Sequence, residues 1–132
     1  ISMYGRYREK SLVAPNLHRM ISDLHPVLVA HKGRIILGGD WYADPKYNEK
    51  YPFISPLHRL VFERLEDRYY GLRRCNKKAL KTFYHPSGCS FQNDYLYASK
   101  YLLWWRMKCD TVAYPKGYWF SDHLPVLAEF RV

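Results

Sequence analysis

Three short segments of this chain carry the residue types that proton-transfer or metal-assisted chemistry uses. They are Gly38-Gly39-Asp40-Trp41, Gln92-Asn93-Asp94-Tyr95-Leu96-Tyr97-Ala98-Ser99 and Ser121-Asp122-His123-Leu124-Pro125-Val126. Each sets an acidic residue at the end of a strand-like stretch. Carboxylates and an imidazole can exchange protons with water or hold a hard cation. Taken singly, each segment also has a plain structural explanation. Gly-Gly-Asp is a common turn, Ser-Asp-His before a strand can be a polar turn, and Asp94 can cap a loop.

The elements that must position these residues follow from the apolar periodicity. Ile1 to Gly5 alternates as a short strand, and Arg6 to Ala14 is a charged connector. Pro15 suits the first turn of a helix. Leu17, Met20, Ile21, Leu24, Val27 and Leu28 recur at helical spacing, with a kink or restart expected at Pro26. Arg34 to Leu37 is an apolar strand running into Gly38-Gly39. That puts Asp40 at a strand's carboxyl end, where open α/β sheets build their sites. After a loop from Trp41 to Pro56, Leu57, Leu60, Val61, Arg64 and Leu65 mark a second helix that ends before Gly71. Strands are expected at Leu80–Tyr84, Asp94–Ala98, Lys108–Tyr114 and Leu124–Val132, with turns at His85-Pro86-Ser87-Gly88 and Pro115-Lys116-Gly117. Tyr101 to Trp105 is an aromatic patch that fits no one element type. This order predicts an α+β fold, a layered β-sheet with helices on one face, as a single domain over residues 1–132.

Composition narrows the class. With 48% hydrophobic and 17% aromatic residues, the 132-residue chain has ample material for one core and is not a disordered tail. The net charge of +9 favours anionic partners, nucleic acid foremost; solubility is the plainer alternative. Cys75, Cys89 and Cys109 are odd in number and lack a C-x-x-C spacing. That argues against a disulfide framework or cysteine zinc site and for a reducing, intracellular (cytoplasmic) setting. No apolar run approaches a membrane span, and no signal-peptide pattern opens the chain. It opens without methionine, which suggests an upstream segment. His18, His25, His31 and His58 are expected at ordinary surface or interface positions, and His85 in a turn.

The three acidic segments, in this order and spacing, resemble the endonuclease/exonuclease/phosphatase superfamily of deoxyribonuclease-like enzymes. There a strand ends in Gly-Asp followed by an aromatic residue and Asn. A segment like Ile-Asp-Tyr-Ile-Phe comes later, and Ser-Asp-His-x-Pro-Val comes near the end. Ser121, Asp122, His123, Pro125 and Val126 match the closing motif completely, the Asp94 segment matches well, and Gly39-Asp40-Trp41 matches three positions. The resemblance spans this chain but only the second half of the family's four-layer sandwich.

The resemblance implies a role for each matched position. Asp40 would position or deprotonate the attacking water, and Asp122 would bind Mg²⁺ (or Mn²⁺). His123 would contact the scissile phosphate, with Asp94 as its carboxylate partner. Tyr4 resembles a tyrosine that reaches the phosphate, and Trp41, Tyr42 and Ser121 fall at substrate-facing motif positions. Two departures stand beside the matches. Tyr42 occupies the place of the family's Asn, and the Asn and metal-binding Glu of the family's first half have no counterpart in these residues. The implied activity is metal-dependent phosphodiester hydrolysis of DNA or RNA. The alternative is a catalytically degenerate half-domain that binds nucleic acid or self-associates. Either way, a homodimer or a missing N-terminal half would cover the apolar sheet face.

Overall fold

The computed structural model describes residues 3–43, 55–86, 88–114 and 120–131. Its first element corrects the sequence reading. Helix α1 (Met3–Ala30) begins upstream of the expected connector and includes Met3 to Gly5 of the segment read as an opening strand; Ile1 and Ser2 lie outside the described residues. Arg6, Arg8, Glu9, Lys10 and Leu12 are straight-chain residues of high helix propensity, and they extend the helix backwards. Pro15 and Pro26 therefore both lie inside α1, where each removes one backbone donor. Ala14, Leu17, Ile21, Leu24 and Leu28 form its inward stripe at three- and four-residue spacing, whereas Met20 and Val27 are exposed on its flank.

Helix α2 (Ser55–Glu66) begins with Pro56 in its first turn. Its buried stripe is His58, Val61, Phe62 and Leu65, and Leu57 and Leu60 point outwards. His58 thus belongs to the interior, not the surface or interface position expected of it. The two helices are joined by Arg64, whose guanidinium donates to the His18 carbonyl at 2.7 Å and to Ser22 Oγ at 2.9 Å.

Under the helices lies an antiparallel sheet ordered β1 (Ile36–Asp40), β5 (Asp94–Ser99), β2 (Leu72–Arg74). The short β3 (Phe83–Tyr84) pairs with β4 (Ser90–Phe91), and β6 (Arg106–Thr111) pairs with β7 (Val126–Phe130). Helix α3 (Lys100–Trp104) takes up most of the aromatic patch. Among the described residues all the pairings are antiparallel, so the chain is α+β. β1 runs through Gly38-Gly39 instead of stopping at Leu37, as the sequence suggested. A Cβ at Gly38 would meet the tip of the Leu96 side chain, so glycine there leaves room for that leucine across the strand pair.

Register decides which face each residue takes. Leu37 lies opposite Tyr97, Gly38 opposite Leu96 and Asp40 opposite Asp94, and opposite residues share a face. Tyr95 and Tyr97 are buried towards the helices, in an aromatic cluster with Trp41 and Phe62. The ring centroids lie 4.9 Å apart for Phe62–Tyr95 and 5.7 Å apart for Trp41–Tyr97. Burial, with the Glu66 carboxylate beside it, holds the Tyr97 phenol above its ordinary pKa, so it stays neutral. Asp40, Asp94, Gly38 and Leu96 lie on the opposite face. Cys75, Cys89 and Cys109 are free thiols, and no described helix is long and apolar enough to cross a membrane.

Phe62 sits where both layers meet, so Phe62→Ala should cost about 3–5 kcal/mol. Trp104 is 88% exposed, and Trp104→Ala should stay within about 0.5 kcal/mol of wild type. Urea midpoints of the two variants measure the contrast.

Candidate functional site

The carboxyl end of β1 and the amino end of β5 meet because antiparallel pairing puts Asp40 directly across from Asp94. Like charges so placed repel. The third segment arrives from the far side of the chain. Tyr84 N–H donates to the Asp122 carbonyl at 2.8 Å, Leu124 N–H donates to the Thr82 carbonyl at 2.7 Å, and Phe83 bridges His123. This lays Ser121-Asp122-His123 along the β3 segment as if it were one more short strand.

His123 Nδ1–H donates to Asp94 Oδ2 at 2.8 Å, and its ring lies 4.9 Å from that of Phe83. One ligand atom each from Asp40, Asp94 and His123 falls within 4.8 Å of the others. Partial burial lowers the pKa of His123. The hydrogen bond and charge of Asp94, with the charges of Asp40 and Asp122, outweigh that effect and raise it above its ordinary value of 6.5. The ring is thus oriented by Asp94, and the carboxylates around it favour its protonated form.

The other residues singled out from the sequence take varied places. Asp40 Oδ1 accepts the Tyr42 N–H at 2.8 Å, closing an Asx-turn that leaves its second oxygen for other partners. Tyr42 is 49% exposed and has φ 47°, the left-handed region where Asn is favoured and a bulky residue is rare. Trp41 is 3% exposed, its ring in the aromatic core and its N–H on the Asn93 carbonyl at 2.8 Å, so it offers a substrate little surface. Ser121 Oγ accepts the His123 N–H at 3.0 Å and so shapes the motif's turn. Asp122 is exposed and stands outside the Asp40–Asp94–His123 group. Tyr4 lies in α1, and its side chain is outside the described residues.

An open cleft of about 320 Å³ adjoins the group, lined by Gly39, Asp94, Leu96, Tyr114, His123 and Val126 among others. Tyr114 was not marked by the sequence, yet its hydroxyl donates to the His123 carbonyl at 2.9 Å. Gln92 and Thr82 were missed as well. Gln92 Oε1 accepts from Asn76 Nδ2 at 3.0 Å and Leu80 N–H at 2.9 Å, and Gln92 Nε2 donates to the Asp94 carbonyl at 3.3 Å. Thr82 Oγ1 accepts the Asn93 and Asp94 N–H groups, each at 3.0 Å. Nothing in the sequence flags a threonine just before a short strand as support for a carboxylate, because its partners are distant in the chain.

The donor set fits a hard cation in kind. The Asp40 and Asp94 oxygens are within reach of one ion, and such ions complete their shells with water. No protein-family model and no curated protein matches the chain.

Two outcomes follow. Because the folded pKa of His123 is raised, the stability its charge contributes is present below pH 6.5 and lost as pH rises through the folded value. Asp94→Asn should bring the imidazole titration, followed by NMR, down towards 6.5 and flatten that loss. Separately, Tyr42→Asn should stabilise the fold by roughly 0.5–1 kcal/mol by relieving the left-handed backbone, read as a higher thermal midpoint.

Proposed function

We propose that this chain is the second half of an endonuclease/exonuclease/phosphatase-type domain. In this reading it hydrolyses phosphodiester bonds in DNA or RNA with Mg²⁺ or Mn²⁺. The observation that supports it most is the convergence of Asp40, Asp94 and His123 from three segments far apart in sequence, on the sheet face away from the helices. A structural explanation for each segment singly gives no reason for them to meet.

The chemistry follows from the groups present. Water is a poor nucleophile at neutral pH, and a carboxylate such as Asp40 that keeps an oxygen available can take its proton. An imidazolium oriented by Asp94 suits the phosphate as a hydrogen-bond donor and counter-charge. A divalent cation held by the carboxylates would supply further charge neutralisation at the phosphate. The net charge of +9 favours nucleic acid over a small phosphoester. On the site-bearing face Ile36 is 55% exposed, which suits a covering partner, either a first half-domain or a second copy.

A second reading is favoured by Tyr42 and by the position of Asp122 apart from the group. It is a remnant that grips nucleic acid without cutting it. Nicking of supercoiled plasmid by the purified chain separates the two. The enzyme reading expects nicking with Mg²⁺, abolition by EDTA, and a loss of at least about a hundredfold in Asp40→Asn and Asp122→Asn. Unchanged nicking in Asp40→Asn sinks it. No nicking, with plasmid binding that weakens steeply as salt rises, selects the remnant.

A further inference from the structure

We infer that Thr82 is a positioning residue for this site, holding the Asp94 strand and the His123 segment together from a third part of the chain. For its catalytic consequence the inference rests on the hydrolase reading. Its structural content does not.

Thr82 makes bonds in three directions. Its hydroxyl oxygen accepts the N–H groups of Asn93 and Asp94, both at 3.0 Å. Its carbonyl accepts the Leu124 N–H at 2.7 Å, and its own N–H donates to the Phe91 carbonyl at 3.0 Å. The residue is wholly buried. One side chain thus grips the backbone that carries Asp94, while the same residue's main chain grips the backbone next to His123. The 2.8 Å contact between those two side chains is closed across this clamp.

The need for the clamp comes from the sheet. β2 pairs with β5 only at Tyr97, Ala98 and Ser99, and Cys75 N–H extends the contact to the Leu96 carbonyl. Among the described residues no strand continues along that edge to Asn93 and Asp94. Asn93 is wholly buried and Asp94 partly so, and backbone donors withdrawn from water must find acceptors. A hydroxyl oxygen with two lone pairs can accept both. Threonine's branched Cβ also restricts the rotamers that aim the oxygen. Valine would fill the same space but leave both donors unsatisfied, whereas serine would keep the acceptor.

The test compares wild type with Thr82→Val, Thr82→Ser and Val61→Ala, the last a core variant on α2 that destabilises without touching the clamp. The first readout is the low-field NMR resonance of the His123 Nδ1–H proton bonded to Asp94, together with amide exchange at Asn93 and Asp94. We expect the resonance and slow exchange in wild type, Thr82→Ser and Val61→Ala, and loss of both in Thr82→Val. Retention in Thr82→Val, or equal loss in Val61→Ala, overturns the inference. Should Thr82→Val not fold, fast exchange of the two amides in wild type overturns it, and slow exchange there with retention in Thr82→Ser upholds it. The second readout is plasmid nicking, where Thr82→Val should lower kcat at least about tenfold with KM within about twofold, and Thr82→Ser should restore it. A wild-type chain that does not nick sinks the hydrolase reading alone, since the resonance and exchange still decide the clamp.

Discussion

Two carboxylates face each other across an antiparallel pair, Asp40 on one strand and Asp94 on the next, and like charges so placed cost stability. That cost is opposed by an imidazole that binds one carboxylate directly and whose pKa both carboxylates raise. The arrangement depends on register. A slip of one residue between β1 and β5 would turn one carboxylate towards the helices and dissolve the group.

Several features of the core enforce that register. Tyr95 and Tyr97 alternate with Asp94 and Leu96, so burying the tyrosines against Phe62 and Trp41 necessarily turns the acidic face outwards. Trp41 fixes the residue after Asp40 twice, by its ring in the core and by its amide on Asn93. Gly38 leaves room for the Leu96 side chain across the pair. Far from the site, Arg64 ties the two helices, and Glu66 receives Arg74 at 3.0 Å, locking the helical layer to the third strand. The chemistry-bearing face is thus held by packing on the other side of the sheet.

Around the carboxylates the backbone is supported by side chains where strands run out. Gln92 joins the 76–80 loop to the start of β5, Thr82 caps the same strand, and Tyr114 holds the His123 carbonyl. Only Tyr42 sits uneasily, with a bulky side chain in the left-handed region directly beside Asp40. Its exposure means that no packing explains the residue.

What the sequence determined by itself was local and patterned. The α2 segment, the apolar strand into Gly-Gly-Asp, the Asp94–Ala98 strand, apolar after its first residue, and the closing Ser-Asp-His motif were readable because period and residue type carry them. The acidic residues were legible as candidates, and Asp94 was read as the partner of His123 on the strength of the motif. Where local and tertiary preferences competed, the sequence misled. Met3 to Ala14 alternated like a strand and a connector but continued a helix through Pro15, and the buried stripe of α2 ran through His58 and Phe62 instead of Leu57 and Leu60. Tertiary structure alone decided the Asp40–Asp94 register, the burial of Trp41 and the roles of Thr82, Gln92 and Tyr114. The physical reason is the same for each. These depend on partners between nine and more than fifty positions away, and pairing across such distances is set by how whole layers pack, which no local window of sequence contains.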